Sequence, residues 1–172
     1  KLGFVGCYMW IVDEKIGKEV EYKIPQYKNV LKHILTRDYM GSGSSIMYKK
    51  SVFDIVGLFD ENLKSAQDWE MRIRLAQEYD FDFVKEPLVK YYVHEKNLTK
   101  ALNKSNLIQH QKYILKNHRM IYDKYPKAYS IRLRNIGSLY LLNNELRQAR
   151  KYFIKAVRIT PWYPRSWMNL IV

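Results

Sequence analysis

The sequence contains little cysteine and no long apolar run. A lone cysteine, Cys7, cannot form an internal disulfide, and such sparse cysteine usage suits a reducing compartment. Cys7 lies between Gly6 and Tyr8 in an apolar stretch with no cysteine or histidine partner nearby, so we interpret it as a small buried hydrophobe. No run approaches the roughly 18 apolar residues that a membrane-spanning helix needs, which argues against an integral membrane domain.

The first residues lack the features of a secretion leader. The opening KLGFVGCYMWIV is short and has neither a basic leader nor a small-residue cleavage site. It instead predicts a buried strand, and a chain that begins inside a strand is expected to be a fragment of a longer protein. A hydrophobic content of 47% with 15% aromatic residues is ample for a packed core and argues against disorder.

Acidic residues are scarce in the C-terminal part. Residues 1–100 hold 16 basic and 15 acidic side chains, whereas residues 101–172 hold 14 basic and 2 acidic ones. Such an asymmetry indicates that the C-terminal part faces something anionic. The candidates are a membrane surface, a lipid phosphate, nucleic acid or an acidic partner protein.

The first hundred residues alternate predicted strands with short helices. In order, the patterns predict a strand over 1–13, a turn around Gly17, a helix within 27–39, a short strand within 44–48, a helical turn over 49–57, a helix within 65–79 and a β-rich segment over 81–94 that is broken by Pro87. This alternation predicts an α/β domain with a layered sheet and helices.

From about residue 103 the pattern is helical, with Pro126 and Pro161 as stops. Within residues 129–172, small and large apolar residues recur at the spacing of a tetratricopeptide repeat: Gly137, Tyr140, Ala149, Phe153, Ala156 and Pro161, then Trp167 and Leu170 of a following repeat. This part therefore resembles one complete repeat and the first helix of another. Residues 103–128 are predicted to be a helical linker without the repeat pattern.

Three blocks in the first part occur in a recognisable order. They are GSGSSIMYKKSVFDIVGLFDENL at 41–63, QDWEMRIRL at 67–75 and EPLVKYYVHEKNLT at 86–99. Together they resemble the C-terminal, acceptor-side half of a family 2 glycosyltransferase of the GT-A, Rossmann-like type. The resemblance covers roughly residues 1–120, and we place the truncated domain at residues 1–102.

The resemblance implies an inverting transfer of sugar from a nucleotide-diphosphate sugar to an acceptor hydroxyl. The family's catalytic base matches Asp68. Sugar or phosphate contacts would come from the glycine-serine loop, Gly41, Ser42, Gly43 and Ser44, and from Trp69 and Glu70 on the acceptor side. His94, at the end of a predicted strand, would contact a metal or the diphosphate. Family members more often carry an acidic residue where Gln67 stands.

The segment SAQDWEMRIRL also permits a purely structural interpretation. Ser65 would cap a helix with Asp68 as its capping-box partner, and Asp68–Arg72 and Glu70–Arg74 would form ion pairs one turn apart. These roles are compatible with a base, because a carboxylate at a helix N-terminus stays ionised. Trp69 would equally serve as a core anchor.

The family's Asp-x-Asp metal motif would precede the first strand of this chain. Asp80-Phe81-Asp82 spells the motif but follows the Asp68 helix, so we interpret it as a coincidence. The nucleotide-binding half is therefore expected to lie outside the chain, together with the main ligands of a divalent cation, Mg²⁺ or Mn²⁺. The fragment alone is expected to be inactive.

The favoured function is a metal-dependent glycosyltransferase acting in the synthesis of cell-surface polysaccharide, glycolipid or glycoprotein glycan, with a glycan or lipid-linked acceptor. It would be cytoplasmic, or peripheral at the inner face of the cell membrane, with its basic helices against anionic lipid or a partner protein. The alternative is a non-enzymatic tetratricopeptide interaction module. A nucleic-acid binder is not expected, because no helix-turn-helix, zinc-finger or RNA-recognition signature occurs.

Overall fold

The structure is a computed structural model, and it describes residues 1–94 and 103–167. The chain divides into two compact units, Lys1–Ala101 and Leu102–Val172. The first unit combines a sheet with short helices, and the described part of the second consists of helices and turns. The predicted mixture of an α/β part and a helical part is therefore present.

The first unit is organised around one long strand. Its strands are β1 (Leu2–Asp13), β2 (Lys18–Tyr22), β3 (Ile46–Tyr48) and β4 (Asp80–Tyr92). β4 runs parallel to β1 along nearly its whole length, from the Leu2–Asp80 pair to the Val12–Tyr92 pair. β3 and β2 are antiparallel to β1 and pair with its first and second halves. Since β4 occupies one edge of β1, the other two strands share the opposite edge.

The apolar composition of β1 follows from this central position. A strand in the interior of a sheet whose two faces are both covered carries a continuous apolar sequence rather than a strict alternation. Phe4 and Met9 are both buried. Gly17, in the turn between β1 and β2, has a φ of +60°, which glycine adopts without the steric penalty of a side chain. The predicted first strand and turn are thus confirmed.

Pro87 does not break the last strand, contrary to the prediction. β4 is continuous from Asp80 to Tyr92, and the irregularity appears instead as shifts in its pairing with β1, where Tyr8 pairs with Pro87 and Met9 with Val89. Within the described residues β4 pairs only with β1, so it is an edge strand there. Proline lacks a backbone donor, and an edge strand with a bulge tolerates it without ending.

Among its described residues the first unit has three helices, and the first and third of them contribute buried residues to its core. They are α1 (Val30–Thr36), α2 (Phe53–Val56) and α3 (Gln67–Glu78), with two short 3₁₀ turns at Gly43–Ser45 and Lys50–Val52. Ile34 and Leu35 of α1 and Ile73 of α3 are fully buried. Gly57 ends α2 with a φ of +78°, as the predicted stop requires.

The second unit contains five described helices. They are α4 (Lys104–Asn117), α5 (Arg119–Lys124), α6 (Pro126–Leu142), α7 (Leu146–Ile159) and α8 (Pro164–Trp167). The sequence predicts Pro126 only as a stop, but it is also the first residue of α6. Proline is accommodated there because the first position of a helix needs no backbone N–H donor. Among the described residues, no helix combines the length and apolarity that crossing a membrane requires.

Helices α6 and α7 form an antiparallel pair. Ser130, early in α6, donates to the carbonyl of Ala156, late in α7 (3.0 Å), while Gly137 lies against Phe153. Thr160 donates to Ser130 (2.6 Å), and Ser166 at α8 lies 3.1 Å from the same hydroxyl. Three buried hydroxyl groups thereby connect α6, the end of α7 and α8.

The assignment of this pair to a tetratricopeptide repeat stays a prediction. The close helix crossing at Gly137 is the packing that the repeat pattern demands of a small residue. Leu170, one of the residues on which the assignment relied, lies outside the described residues.

The crossing yields a test through Gly137→Ala. In an open helix this change raises stability by about 1 kcal/mol, because alanine has the higher helix propensity. Here the added Cβ would lie 2.5 Å from the Phe153 ring. Overpacking of this kind costs about 1–3 kcal/mol. We therefore expect native-state hydrogen exchange to show a lower opening free energy for the amides of α6 and α7.

Ser138→Ala is the matched control, since Ser138 is the next residue of α6 and is only partly buried. It should leave the opening free energy unchanged or slightly raised. A stabilising effect of Gly137→Ala would show that α6 and α7 do not cross closely at this residue.

Candidate functional site

Helix α3 begins at Gln67, which places Asp68 in its first turn. The preceding residue, Ala66, has a φ of +62° and gives no side-chain cap. The predicted capping box, with Ser65 at the N-cap and Asp68 at the third helical position, is therefore wrong, because Ala66 occupies the N-cap position. A non-glycine residue in the left-handed region is uncommon and stores strain, often near functional residues.

The Asp68 carboxylate is partly accessible and is held on one side. Its side chain is 38% exposed. Oδ1 accepts from the backbone N–H of Trp69 (3.0 Å), and Oδ2 lies 3.4 Å from Nη2 of Arg72. The predicted Asp68–Arg72 pair is thus present.

Arg72 is the fully buried centre of this region. Its side chain has no exposed surface, and its Nη1 donates to Oδ2 of Asp38 (2.5 Å) and to the carbonyl of Gly41 (3.1 Å). Together with the Asp68 contact, one guanidinium group therefore joins three segments: the residues after α1, the glycine-serine loop and α3. A planar group with five donors suits such a role better than lysine does.

Burial and charge act in opposite directions on these groups. Burial alone would lower the pKa of Arg72, but the carboxylates of Asp38 and Asp68 raise it above its ordinary value. Burial raises the pKa of Asp38, which the Arg72 charge opposes. Arg72 therefore stays cationic, and its contact with Asp38 is 0.9 Å shorter than its contact with Asp68.

The glycine-serine loop lies beside Asp68. Ser42 caps the 3₁₀ turn by accepting from the N–H of Ser44 (3.2 Å). Gly41 has a φ of +85°, and a Cβ there would lie 3.0 Å from Met9. A Cβ at Gly43 would lie 3.5 Å from Oδ2 of Asp68, so the loop backbone approaches the carboxylate closely. The structure thus brings the predicted loop and the predicted base together.

Trp69 and Glu70 lie in the interior of the first unit. Trp69 is 4% exposed, and its indole Nε1 donates to the carbonyl of Ile34 in α1 (2.8 Å). The geometry favours the core-anchor interpretation of Trp69 over an acceptor contact. Glu70 is buried too and accepts from Arg74 Nη2 (2.7 Å). Arg74 also donates to the carbonyls of Val56 and Leu58, so the arginine of this predicted ion pair connects α3 to the end of α2 and to the residue after Gly57.

His94 is exposed and lies two residues beyond the end of β4. Within residues 1–94 and 103–167, no group of three His, Cys, Asp or Glu side chains converges in a way that would hold a metal ion. The described residues alone therefore do not make a divalent-cation site.

Sequence reasoning missed Asp38. The local sequence predicts only the contact of Arg72 with Asp68, one helical turn away. The shorter contact of Arg72 is with Asp38, 34 positions earlier in the chain. No local motif marks that pairing. The single available signal is the placement of a carboxylate, Asp38, three residues before Gly41.

The comparison with known protein families identifies the family of the chain. The family model described as glycosyltransferase like family 2 matches residues 12–127, which is more than half of the chain. The match includes the glycine-serine loop, Asp38, Asp68 and Arg72. No curated protein matches the chain.

The central role of Arg72 predicts a large effect of Arg72→Met. This change removes the guanidinium group and leaves the partly buried Asp38 without its cation. Removal of one partner of a buried ion pair lowers the free energy of unfolding by as much as about 3–5 kcal/mol. Urea unfolding followed by tryptophan fluorescence measures the loss, since Trp69 reports on the core of this unit.

A second variant separates charge from packing. Asp38→Asn/Arg72→Met removes both charges, so it should recover part of the stability that Arg72→Met loses, with a coupling of about 0.5–3 kcal/mol. A double variant that loses the sum of the two single effects would show that Asp38 and Arg72 do not interact.

Proposed function

Because the chain belongs to glycosyltransferase-like family 2, we propose that it contributes the acceptor-side catalytic base to an inverting transfer of sugar from a nucleotide-diphosphate sugar to an acceptor hydroxyl. Membership of the family supports glycosyl transfer in general, with a nucleotide sugar and an acceptor as substrates. The observation that carries the finer proposal is the partly exposed carboxylate of Asp68 beside the glycine-serine loop.

In the proposed reaction, Asp68 takes the proton of the acceptor hydroxyl as its oxygen attacks the anomeric carbon. The new carbon–oxygen bond forms as the bond between that carbon and the diphosphate oxygen breaks, and the nucleoside diphosphate departs with the bonding electron pair. Attack opposite the leaving group inverts the anomeric centre. A positioned base of this kind contributes about 10²–10⁴-fold to the rate.

The surroundings of Asp68 suit a base. Arg72 lies closer to Asp38 than to Asp68. Arg72 therefore holds the carboxylate of Asp68 only through the longer contact, and this carboxylate keeps lone pairs available for a proton. In the proposal, a sugar next to the Asp68 carboxylate receives hydrogen bonds from the glycine-serine loop. The donors are the hydroxyl groups of Ser42 and Ser44 and the backbone N–H of Gly43. Trp69 and Glu70 would support this geometry from the core instead of touching the acceptor.

The divalent cation, its contact with His94 and the glycan or lipid-linked nature of the acceptor stay predictions from the family resemblance. No step of the proposed mechanism depends on them. A cytoplasmic location is proposed on the same basis, together with the low cysteine content.

Asp68→Asn tests the base. The amide keeps the shape of the side chain but cannot take a proton, so turnover should fall by about 10²–10⁴-fold while nucleotide-sugar binding is retained. The assay is the release of nucleoside diphosphate from a panel of nucleotide sugars by the full-length protein. Calorimetry measures donor binding.

Asp82→Asn is the control, since Asp82 is exposed on β4 and belongs to the coincidental Asp-x-Asp sequence. It should leave turnover within about twofold of the unchanged protein, because a surface substitution away from the site has little effect. Near-normal turnover of Asp68→Asn would show that another group is the base.

A further inference from the structure

Helix α7 carries an exposed face of five cations, which we call the basic face. Its members are all solvent-exposed: Arg147, Arg150, Lys151, Lys155 and Arg158. The helix has 14 residues and contains no acidic side chain. At a rise of about 1.5 Å per residue, it spans about 21 Å. The positive charge is therefore distributed along its whole length.

This arrangement is unfavourable for the isolated helix. Arg147 and Lys151, and Lys151 and Lys155, are each four residues apart, a spacing at which like charges destabilise a helix. Arg147 also lies in the first turn, where the helix dipole disfavours a cation. The opposite face of α7 already packs on α6 through buried residues such as Phe153, so the cations are not needed for folding.

No carboxylate in the described part of this unit neutralises the basic face. Residues 101–172 contain only two acidic residues, Asp123 and Glu145. Asp123 pairs with Arg119 of α5 (2.7 Å), and Glu145 accepts from Asn143 (2.6 Å). Within residues 103–167, none of the five cations forms an ion pair or a hydrogen bond, although Lys155 lies over the Tyr152 ring (5.3 Å).

Apolar side chains interrupt the basic face. A groove of about 630 Å³ along α7 is lined by all five cations and also by Leu141, Leu146 and Ile154. Leu146 is 64% exposed. The surface thus offers cations for anionic groups and, between them, aliphatic side chains for an apolar layer.

We propose that the basic face binds the surface of a bilayer that contains anionic phospholipid. Such a surface presents mobile phosphate groups that adjust to any spacing of cations, and an apolar layer just below them for Leu146 and Ile154. The basic face would lie along the bilayer, with the lipid phosphates replacing the counter-charges that the unit lacks.

The absence of side-chain hydrogen bonds from the five cations, within the described residues, favours a lipid bilayer over an acidic protein or nucleic acid. A protein partner with carboxylates at fixed positions binds most tightly to cations that are already oriented. Arg72 is an example of an oriented cation, because its acceptors hold it in place. The side chains of the five α7 cations, by contrast, form no hydrogen bond within the described residues. Duplex nucleic acid would use the cations but gives the exposed aliphatic side chains no apolar layer to enter.

The experiment is vesicle flotation of the chain. The probes are vesicles of phosphatidylcholine alone and vesicles in which about one third of the lipid is phosphatidylglycerol. We expect flotation with the anionic vesicles only, and release as the salt rises from about 0.1 M to about 0.5 M, because added salt screens exposed charges.

Two variants with equal net charge locate the contact. One replaces all five cations of the basic face by glutamine. The control replaces five exposed lysines elsewhere in the same unit: Lys104, Lys112, Lys116, Lys124 and Lys127. The basic-face variant should lose at least tenfold in apparent affinity for the anionic vesicles, and the control should stay within about threefold of the unchanged chain. Circular dichroism confirms that both variants remain helical.

Equal losses in the two variants would overturn the proposal, since net charge and not the basic face would then govern binding. Equal flotation with both vesicle types would overturn it as well. Polyglutamate and duplex DNA serve as competitors: displacement from the vesicles at matched charge concentration by either one would assign the face to an acidic protein or a nucleic acid instead. None of these results depends on sugar transfer.

Discussion

The candidate site depends on the placement of one buried positive charge. Arg72 reaches from α3 to the Asp38 carboxylate and to the carbonyl of Gly41, so α3 and a segment 31 to 34 residues earlier take their relative positions from one guanidinium group. A buried cation of this kind is stabilised by acceptors for its donors, which Asp38, Gly41 and Asp68 provide for the two terminal nitrogens of Arg72. These contacts set the distance between the glycine-serine loop and Asp68.

Much of this fold could be predicted because it follows local rules. The apolar run of β1, the stop at Gly57 and the helix around Asp68 reflect composition and spacing within a few residues. The capping box failed because backbone conformation at Ala66, and not side-chain type, decides where α3 begins. Pro87 was misjudged because its effect depends on whether β4 has a second neighbour. The contact of Asp38 with Arg72 joins residues 34 apart, and no periodic pattern reports such a pair.

Arg72 and the cations of α7 place positive charge in contrasting surroundings. In the first unit, Arg72 has no exposed surface and a defined set of acceptors, so its charge organises the interior. In the second unit, the cations of α7 are exposed and form no ion pair within the described residues. The same residue type therefore acts as a rigid structural centre in one unit and as a diffuse electrostatic surface in the other. Burial and the number of available acceptors, not residue identity, decide between these roles.

The parallel pairing of β1 with β4 also bears on how the first unit is synthesised. Leu2 pairs with Asp80 and Val12 with Tyr92, so the central strand finds its long neighbour only among residues about 80 positions later. Contacts of such high sequence separation slow folding, because a long loop must close before they form. On the ribosome β1 would emerge first and remain without β4 until the whole unit had been translated, which leaves an apolar strand exposed to chaperones or to premature association with other nascent chains.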